Sequence, residues 1–364
     1  MVKLFGHDLE FKSRALKYGY ANARAKAVKG VLLSPSVLDE LIKVKTLNTM
    51  VELLQRTPYR QELVDLSLHY QGAQLIDIAA GRRFVRLATK LMKATPPNDR
   101  VVVEALLQRW DLLMLRTLFR AKLTGKSKKE LESYVLAIAP EYRKLLRTLI
   151  DTEDPFGTFR KSSLGQQIMG QAISNMSRQM RERYRAAADR RDIAAQMDLV
   201  LDAYAYAHIH TALAGGSGDV QRIRRILQKE MDVQNIMVIE RGKKKGVDRK
   251  KIEAHILPGG RLPERILQRI MAAKSREELL RFIKPYWGTV ETEDDTFVGL
   301  EIALEKALAR EKVKAFHRSV LSLGTVAGAL LILEEETRNL HKIAKAKEFG
   351  LDESEVKKTL VMVA

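Results

Sequence analysis

At 364 residues the chain is long enough for two or three domains, or for an array of repeats, around a sizeable core. Charged residues make up 30% and hydrophobic ones 46%, a folded rather than a disordered composition; cysteine is absent, which excludes disulfides, thiolate-held metals, cysteine-held iron–sulfur clusters and a cysteine nucleophile, and suits a reducing compartment. Lys and Arg number 64 against 45 Asp and Glu, and the net charge of +19 points to an anionic partner (nucleic acid, acidic protein or a membrane surface) without choosing among them.

The opening, Met1 to Glu10, carries His7, Asp8 and Glu10 and lacks the apolar core of a secretory signal. Ala, Leu, Glu, Lys, Arg, Gln and Met dominate the rest of the chain, and alternating β-branched runs are scarce, so helix is predicted nearly throughout. Ser34 before Pro35 reads as an N-cap with proline in the first helical position. Pro58-Tyr59 closes a further helix, and Pro96-Pro97-Asn98-Asp99 stops another at a unit boundary. A long helix then carries Asp111 toward Gly125. Gly125-Lys126-Ser127 has the ending of a phosphate-binding loop, but Arg120 stands where a second glycine belongs and a helix precedes it in place of a strand. Pro155-Phe156 closes the next helix. Arg178, Arg181, Arg183, Arg185, Arg190 and Arg191 form a basic cluster. His208 and His210 stand about 200° apart on a helix, unsuited to one metal ion. Gly215-Gly216-Ser217-Gly218 reads as a linker. A second basic cluster, Arg241 to Lys251, ends the helix that carries Asp232, and Pro285-Tyr286 closes a later one. Ser319 to Leu333 is apolar but shorter than the roughly 20 residues a bilayer requires, and runs into Glu334, Glu335 and Glu336, so it reads as a buried helix.

Three segments share one ruler. With the acid at position zero (Asp111, Asp232, Glu336), apolar residues follow at plus four (Leu115, Ile236, Leu340) and plus seven (Leu118, Ile239, Ile343). A base stands at plus nine (Arg120, Arg241, Lys345), a lysine at plus eleven (Lys122, Lys243, Lys347) and glycine at plus fourteen (Gly125, Gly246, Gly350). An N-cap comes two residues after each glycine, at Ser127, Asp248 and Asp352, then apolar residues at Leu131/Val135, Ile252/Ile256 and Val356/Leu360. Ser127 with Glu130 and Asp352 with Glu355 fit capping boxes.

At about 100° per residue the acid, both apolar positions, the lysine and the glycine line one stripe, while the plus-nine base lies opposite. The glycine is expected to end the helix as a left-handed cap, the lysine to complement the helix's C-terminal dipole and the acid its N-terminal one. In a ring of such units the acid of one could meet the plus-nine base of the next, against the simpler reading as solvated charges. Ser34 placed on the repeated cap gives a worn fourth copy, with Leu38 and Ile42 in its apolar slots, Lys29 in the lysine slot, and Tyr18 and Leu32 where acid and glycine belong. The C-terminal half-unit, ending at Ala364, is expected to pack beside the first and close the ring.

No His-Glu-x-x-His or Gly-x-Ser-x-Gly occurs and nothing marks a carboxylate pair as catalytic, so no catalytic, cofactor-binding or metal-binding residue is expected. The basic clusters lack interleaved aromatics, a recognition helix and zinc ligands, so a basic helical scaffold binding nucleic acid is the second reading and not the first.

Tyr20-Ala-Asn-Ala-Arg-Ala-Lys26 with Leu32-Leu33-Ser34, then Thr57-Pro58-Tyr59, resembles the opening of the C subunit of archaeal and bacterial A/V-type ATP synthases, related to the d subunit of the eukaryotic vacuolar ATPase. Trp110-Asp111 through Arg120-Ala-Lys122, Asp232-Val-Gln-Asn235 through Arg241 with Leu257-Pro-Gly-Gly260, and Glu336-Thr-Arg-Asn339-Leu340 through Gly350-Leu351 are similar to the family's later signatures. Met114 departs from Asn235 and Asn339 in the other copies. The resemblance implies an all-α fold of three quasi-equivalent helical units, spanning 1–105, 106–218 and 219–364, in a pseudo-threefold funnel. It also implies a non-catalytic rotor subunit without cofactor or small-molecule substrate, peripheral on the cytoplasmic face of the cell membrane. A rotor of this kind couples the proteolipid ring to the central shaft of a proton- or sodium-translocating synthase.

Overall fold

The computed structural model describes residues 2–190, 192–216, 218–292, 294–318 and 320–360, with side chains from Ser13 onward. Met1, Arg191, Ser217, Ser319 and Ala364, and the side chains of His7, Asp8 and Glu10, lie outside the described residues. Among the described residues every regular element is helical. In chain order these are α1 (Val2–Gly30), α2 (Pro35–Lys43), α3 (Leu47–Leu54), α4 (Arg60–Ser67), α5 (Gly72–Ala94), a 3₁₀ turn (Pro97–Asp99) and α6 (Arg100–Leu123). Then come α7 (Lys128–Glu132), α8 (Pro140–Asp151), α9 (Pro155–Lys161), α10 (Ser163–Asn175), α11 (Arg178–Asp189), α12 (Ile193–Ala212) and α13 (Gly218–Lys244). The chain ends with α14 (Arg249–Glu253), α15 (Glu264–Ala272), α16 (Arg276–Trp287), α17 (Phe297–Arg318), α18 (Leu323–Glu348) and α19 (Glu353–Thr359).

The chain divides into two compact units. The first comprises Met1–Glu104, Ser217–Ile223 and Ala309–Ala364, and joins the two ends of the chain. Its centre is α18, in which every residue from Leu323 to Leu333 is buried, as expected of a helix apolar on all sides. α18 packs against α5 and α1, and α19 against α2. Leu38, Leu41 and Ile42 of α2 thereby share one core with Leu340, Ile343 and Val356. The second unit, Ala105–Gly216 and Arg224–Leu308, packs α10 and α11 on α12 and α15 on α16. One of its cores gathers Leu115, Leu118, Leu146, Ile168 and Val200.

Gly328 shows how closely α17 and α18 meet. A Cβ there would lie 2.6 Å from the Phe316 Cα, backbone that cannot turn aside. Gly328→Ala is expected to cost about 1–3 kcal/mol by overpacking, read as a lower urea midpoint at unchanged slope. Gly19→Ala on α1, where nothing stands within 4 Å, is the control and should be stabilising.

Three local expectations are corrected. Ser34 does cap α2, accepting from the Val37 N–H, but α2 is not a counterpart of the short cap helices α7, α14 and α19. It corresponds instead to the proline-led α8 and to α15, each held at both ends by a long helix, so there is no worn fourth copy. The capping box forms at Ser127–Glu130, whereas the Asp352 carboxylate accepts from the Ser354 N–H and leaves Glu355 out. The proline–aromatic pairs do not close equivalent helices. Pro58 sits in a turn before α4, Pro155 opens α9 where its missing N–H costs nothing, and Pro285 lies inside α16.

Candidate functional site

The acid at position zero sits mid-helix in α6, α13 and α18, too far from their first turns to complement their own dipoles. It serves a neighbouring helix. Asp111 accepts from the backbone N–H groups of Ile138 and Ala139, immediately before α8. Asp232 accepts from the Leu262 N–H (3.0 Å), just ahead of α15, and from the Trp287 Nε1–H (3.1 Å). Glu336 accepts from the Leu33 N–H, just ahead of α2, and from the Tyr59 hydroxyl at 2.7 Å.

The plus-eleven lysine reaches the far end of the same neighbour. Lys122 Nζ donates to the Ile150 carbonyl at 2.6 Å, Lys243 to the Ala273 carbonyl at 3.0 Å, and Lys347 to the carbonyls of Ile42 (2.8 Å) and Val44. Eleven residues separate acid from lysine in all three copies, and eleven also separate Ala139 from Ile150, Leu262 from Ala273, and Leu33 from Val44. Each long helix therefore runs parallel to its short neighbour in one-to-one register over three turns, about 16 Å. The carboxylate takes the neighbour's unsatisfied N–H groups and the ammonium its unsatisfied carbonyls, each with the sign the helix dipole favours. We call this arrangement a clamp. In the third copy the clamped helix comes from the opposite end of the chain.

The glycines at plus fourteen adopt φ of 74°, 63° and 66°. The next N–H after each bonds five residues back, Lys126 to Ala121, Val247 to Gly242 and Leu351 to Ala346, so the long helices end in the same Schellman turn. The residues at plus four and plus seven are all buried, packing the stripe between clamp ends.

Burial dominates the electrostatics. It pushes the Asp111 carboxyl up to about 7 against the pull of the Ile138 and Ala139 N–H groups, and Asp232 up to about 6 against Leu262 and Trp287. Glu336 is raised by the same cause, and burial lowers the ammonium groups of Lys122 and Lys347. Beside Glu336 the buried Arg83 donates to the Pro58 and Val31 carbonyls and stacks 4.7 Å from the Tyr59 ring centroid. Arg83, Tyr59 and Trp287 lie outside the ruler, so the repeat does not single them out. The aliphatic residue shortly before Pro35, Pro140 and Pro263 is the one sequence signal that marks the clamped helices.

The plus-nine bases do not meet the repeated acids. Arg120 pairs with Asp198 at 2.7 Å, Arg241 with Glu301 at 3.6 Å and Lys345 with Glu348 at 2.6 Å. Each acid is already engaged with backbone donors in the interior, so the inter-unit ion pair is replaced by ordinary surface pairs. Asn235 brackets Leu257 by donating to its carbonyl (2.9 Å) and accepting from its N–H (2.8 Å). Asn339 is also buried. With Met114 at that position in the first copy, the Trp110 indole N–H holds the corresponding loop instead, donating to the Leu136 carbonyl at 2.8 Å.

Gly125-Lys126-Ser127 is thus a helix-ending turn and not a phosphate loop. Of the two close histidines, His208 stacks on Tyr204 and His210 Nε2 meets Arg224. Among the described residues, no group of three His, Asp or Glu could hold a metal ion, and no helix is long and apolar enough to cross a membrane.

A family model described as the ATP synthase (C/AC39) subunit matches residues 21–359. The chain is similar to the A-type ATP synthase C subunit of Methanococcoides burtonii, 23% identical over 362 residues that cover 98% of this chain and 97% of that protein. The C subunits of the A-type ATP synthases of Thermoplasma acidophilum (22% identical, 90% and 93% covered) and Methanocaldococcus jannaschii (22%, 94% and 86%) are also similar. Three clamps in one register and a match along nearly the whole chain lead to one assignment: the chain belongs to the ATP synthase (C/AC39) subunit family, a non-catalytic part of that complex.

Proposed function

We propose that this protein is a central-stalk rotor subunit of an A/V-type ATP synthase. It docks on the proteolipid ring at the cytoplasmic face of the membrane, receives the central shaft, and passes torque between them without chemistry of its own. The observation that carries this reading is the clamp recurring three times along a chain of this family. We read its three copies as three quasi-equivalent helical units about a pseudo-threefold axis, the third assembled from both chain ends, in a funnel. A torque-bearing coupling must resist shear between neighbouring helices. Fastening each short helix at both ends by charge-assisted hydrogen bonds supplies that resistance.

The test is a pair of disulfide cross-links in an otherwise cysteine-free protein. Linking it to the proteolipid ring should leave ATP-driven rotation intact, because the two turn together. Linking it to a peripheral stalk should stop rotation while ATP hydrolysis by the detached head continues. Stalled rotation in the first case would reject a rotor role. With a charge of +19, docking on the ring is expected to weaken roughly tenfold between about 0.1 and 1 M salt as the Debye length shrinks from about 10 to about 3 Å; an affinity indifferent to salt would rule out a polar joint.

A further inference from the structure

The three Schellman turns share a backbone and differ in charge. In the first, Lys126 is spent on Glu130 and Lys128 on Asp151. The third carries Asp352, Glu353 and Glu355 beside the exposed Phe349 and Leu351. The second is polybasic: residues 244–255 hold five Lys and Arg against two acids. Among the described residues Lys245, Lys250 and Lys251 are exposed and pair with no acid, and Val247, 37% exposed, stands at the tip between them.

The fold enlarges this patch. Arg183 Nη1 donates to the Ala254 carbonyl at 2.9 Å, bringing α11 against the end of α14 within the second unit. α11 and the residue after it, 178–190, again hold five bases against two acids, and the exposed Arg190, seven residues after Arg183, lies on the same side of α11 as the contact. Two basic clusters distant in sequence thus form one surface that the clamps do not use.

We infer that this joined surface of α11 and the α13–α14 turn binds anionic phospholipid headgroups. The chemistry of the patch favours lipid over other polyanions. The turn is lysine-rich, presenting point charges, and the arginines of α11 present forks that match a phosphate, so both halves of the patch suit a phosphodiester headgroup. Tyr184, the aromatic residue of α11, is half-buried, and the one exposed ring of the patch is the His255 imidazole, its Nδ1 engaged with the Lys251 carbonyl, so the surface offers no exposed Tyr, Phe or Trp platform for base stacking. An apolar tip amid lysines suits the boundary between headgroup and acyl chain. The inference rests on the membrane-peripheral function proposed for the protein and deepens it, but vesicle binding and ring docking are separate measurements and can fail independently.

The experiment is flotation of the full chain with phosphatidylcholine vesicles, with and without phosphatidylglycerol. Lys245→Glu/Lys250→Glu/Lys251→Glu is compared with Arg82→Glu/Lys90→Glu/Lys93→Glu, an equal charge change on exposed residues of α5. The wild type should bind the anionic vesicles alone. Each lysine at such a surface is worth roughly fivefold in partitioning, so removing three should cost about a hundredfold, the triple Lys→Glu variant should lose at least that much, and the α5 variant little. A matching Gln variant should lose about a hundredfold, less than the Glu variant, and this grading with charge separates electrostatics from misfolding. Binding without dependence on phosphatidylglycerol, equal loss in both charge variants, or tighter retention on duplex DNA or a polyglutamate peptide than on vesicles would each overturn the inference.

Discussion

Replacing Glu336 by alanine is expected to lower the stability of the first unit by about 3–5 kcal/mol, the cost of removing one partner from a buried charged network. The Glu336 carboxylate takes the Leu33 N–H and the Tyr59 hydroxyl and lies 4.0 Å from Arg83 Nε. Without it, two buried donors lose their acceptor and a guanidinium only 2% exposed loses its counter-charge. The clamp also opens at its Leu33 end, so α2 is held by Lys347, the Lys357–Asp39 ion pair and apolar packing. Glu336→Gln keeps the shape and one acceptor, and should cost about 1–3 kcal/mol. The readout is specific, because Trp110 and Trp287 both belong to the second unit. Far-UV circular dichroism of Glu336→Ala should gain an earlier urea transition while tryptophan fluorescence keeps its midpoint. Coincident shifts would mean that the two units unfold as one, and an unmoved dichroism curve would remove Glu336 from the stabilising network.

The second large effect is pH dependence through Asp111. Burial raises its carboxyl in the folded protein to about 7, against 3.8 as the reference for an unfolded chain. Above pH 7 the group is ionised in both states and the folded protein bears the full cost of its burial. Between about pH 7 and 4 the folded state binds a proton that the unfolded state does not, so stability rises as pH falls, levelling off below about 4. Three pKa units correspond to about 4 kcal/mol at most. Asp111→Asn lacks this titration. The stability of the wild type relative to Asp111→Asn is therefore expected to improve steadily from about pH 8 to pH 4, measured by urea midpoints, with other titrations cancelling in the difference. A difference that grows with rising pH would show that the Ile138 and Ala139 N–H groups, not burial, control the carboxyl.

Helix is legible in the sequence because residue propensities and 3.6-residue spacing are local. The turns at Gly125, Gly246 and Gly350 are legible because a left-handed residue after a helix strongly favours glycine. The acid and lysine are visible as repeated positions on one stripe. What they do is not, because the same stripe serves a helix complementing its own dipole and a helix complementing a neighbour's. The linear ruler likewise misplaces Ser34–Pro35 by joining it to the residues before it, whereas its partner helix lies some 300 residues later.

The sequence by itself determined that this chain is helical, built on a repeat and similar to one family, since propensity, periodicity and order along the chain require no knowledge of what touches what. The tertiary structure alone decided that each acid–lysine pair grips a second helix by its two ends, that the third grip unites the chain's beginning with its end, and that two separate basic clusters become one surface. Those outcomes depend on unsatisfied N–H and carbonyl groups at helix ends finding partners through space, and a linear pattern carries the groups without saying which of them will meet.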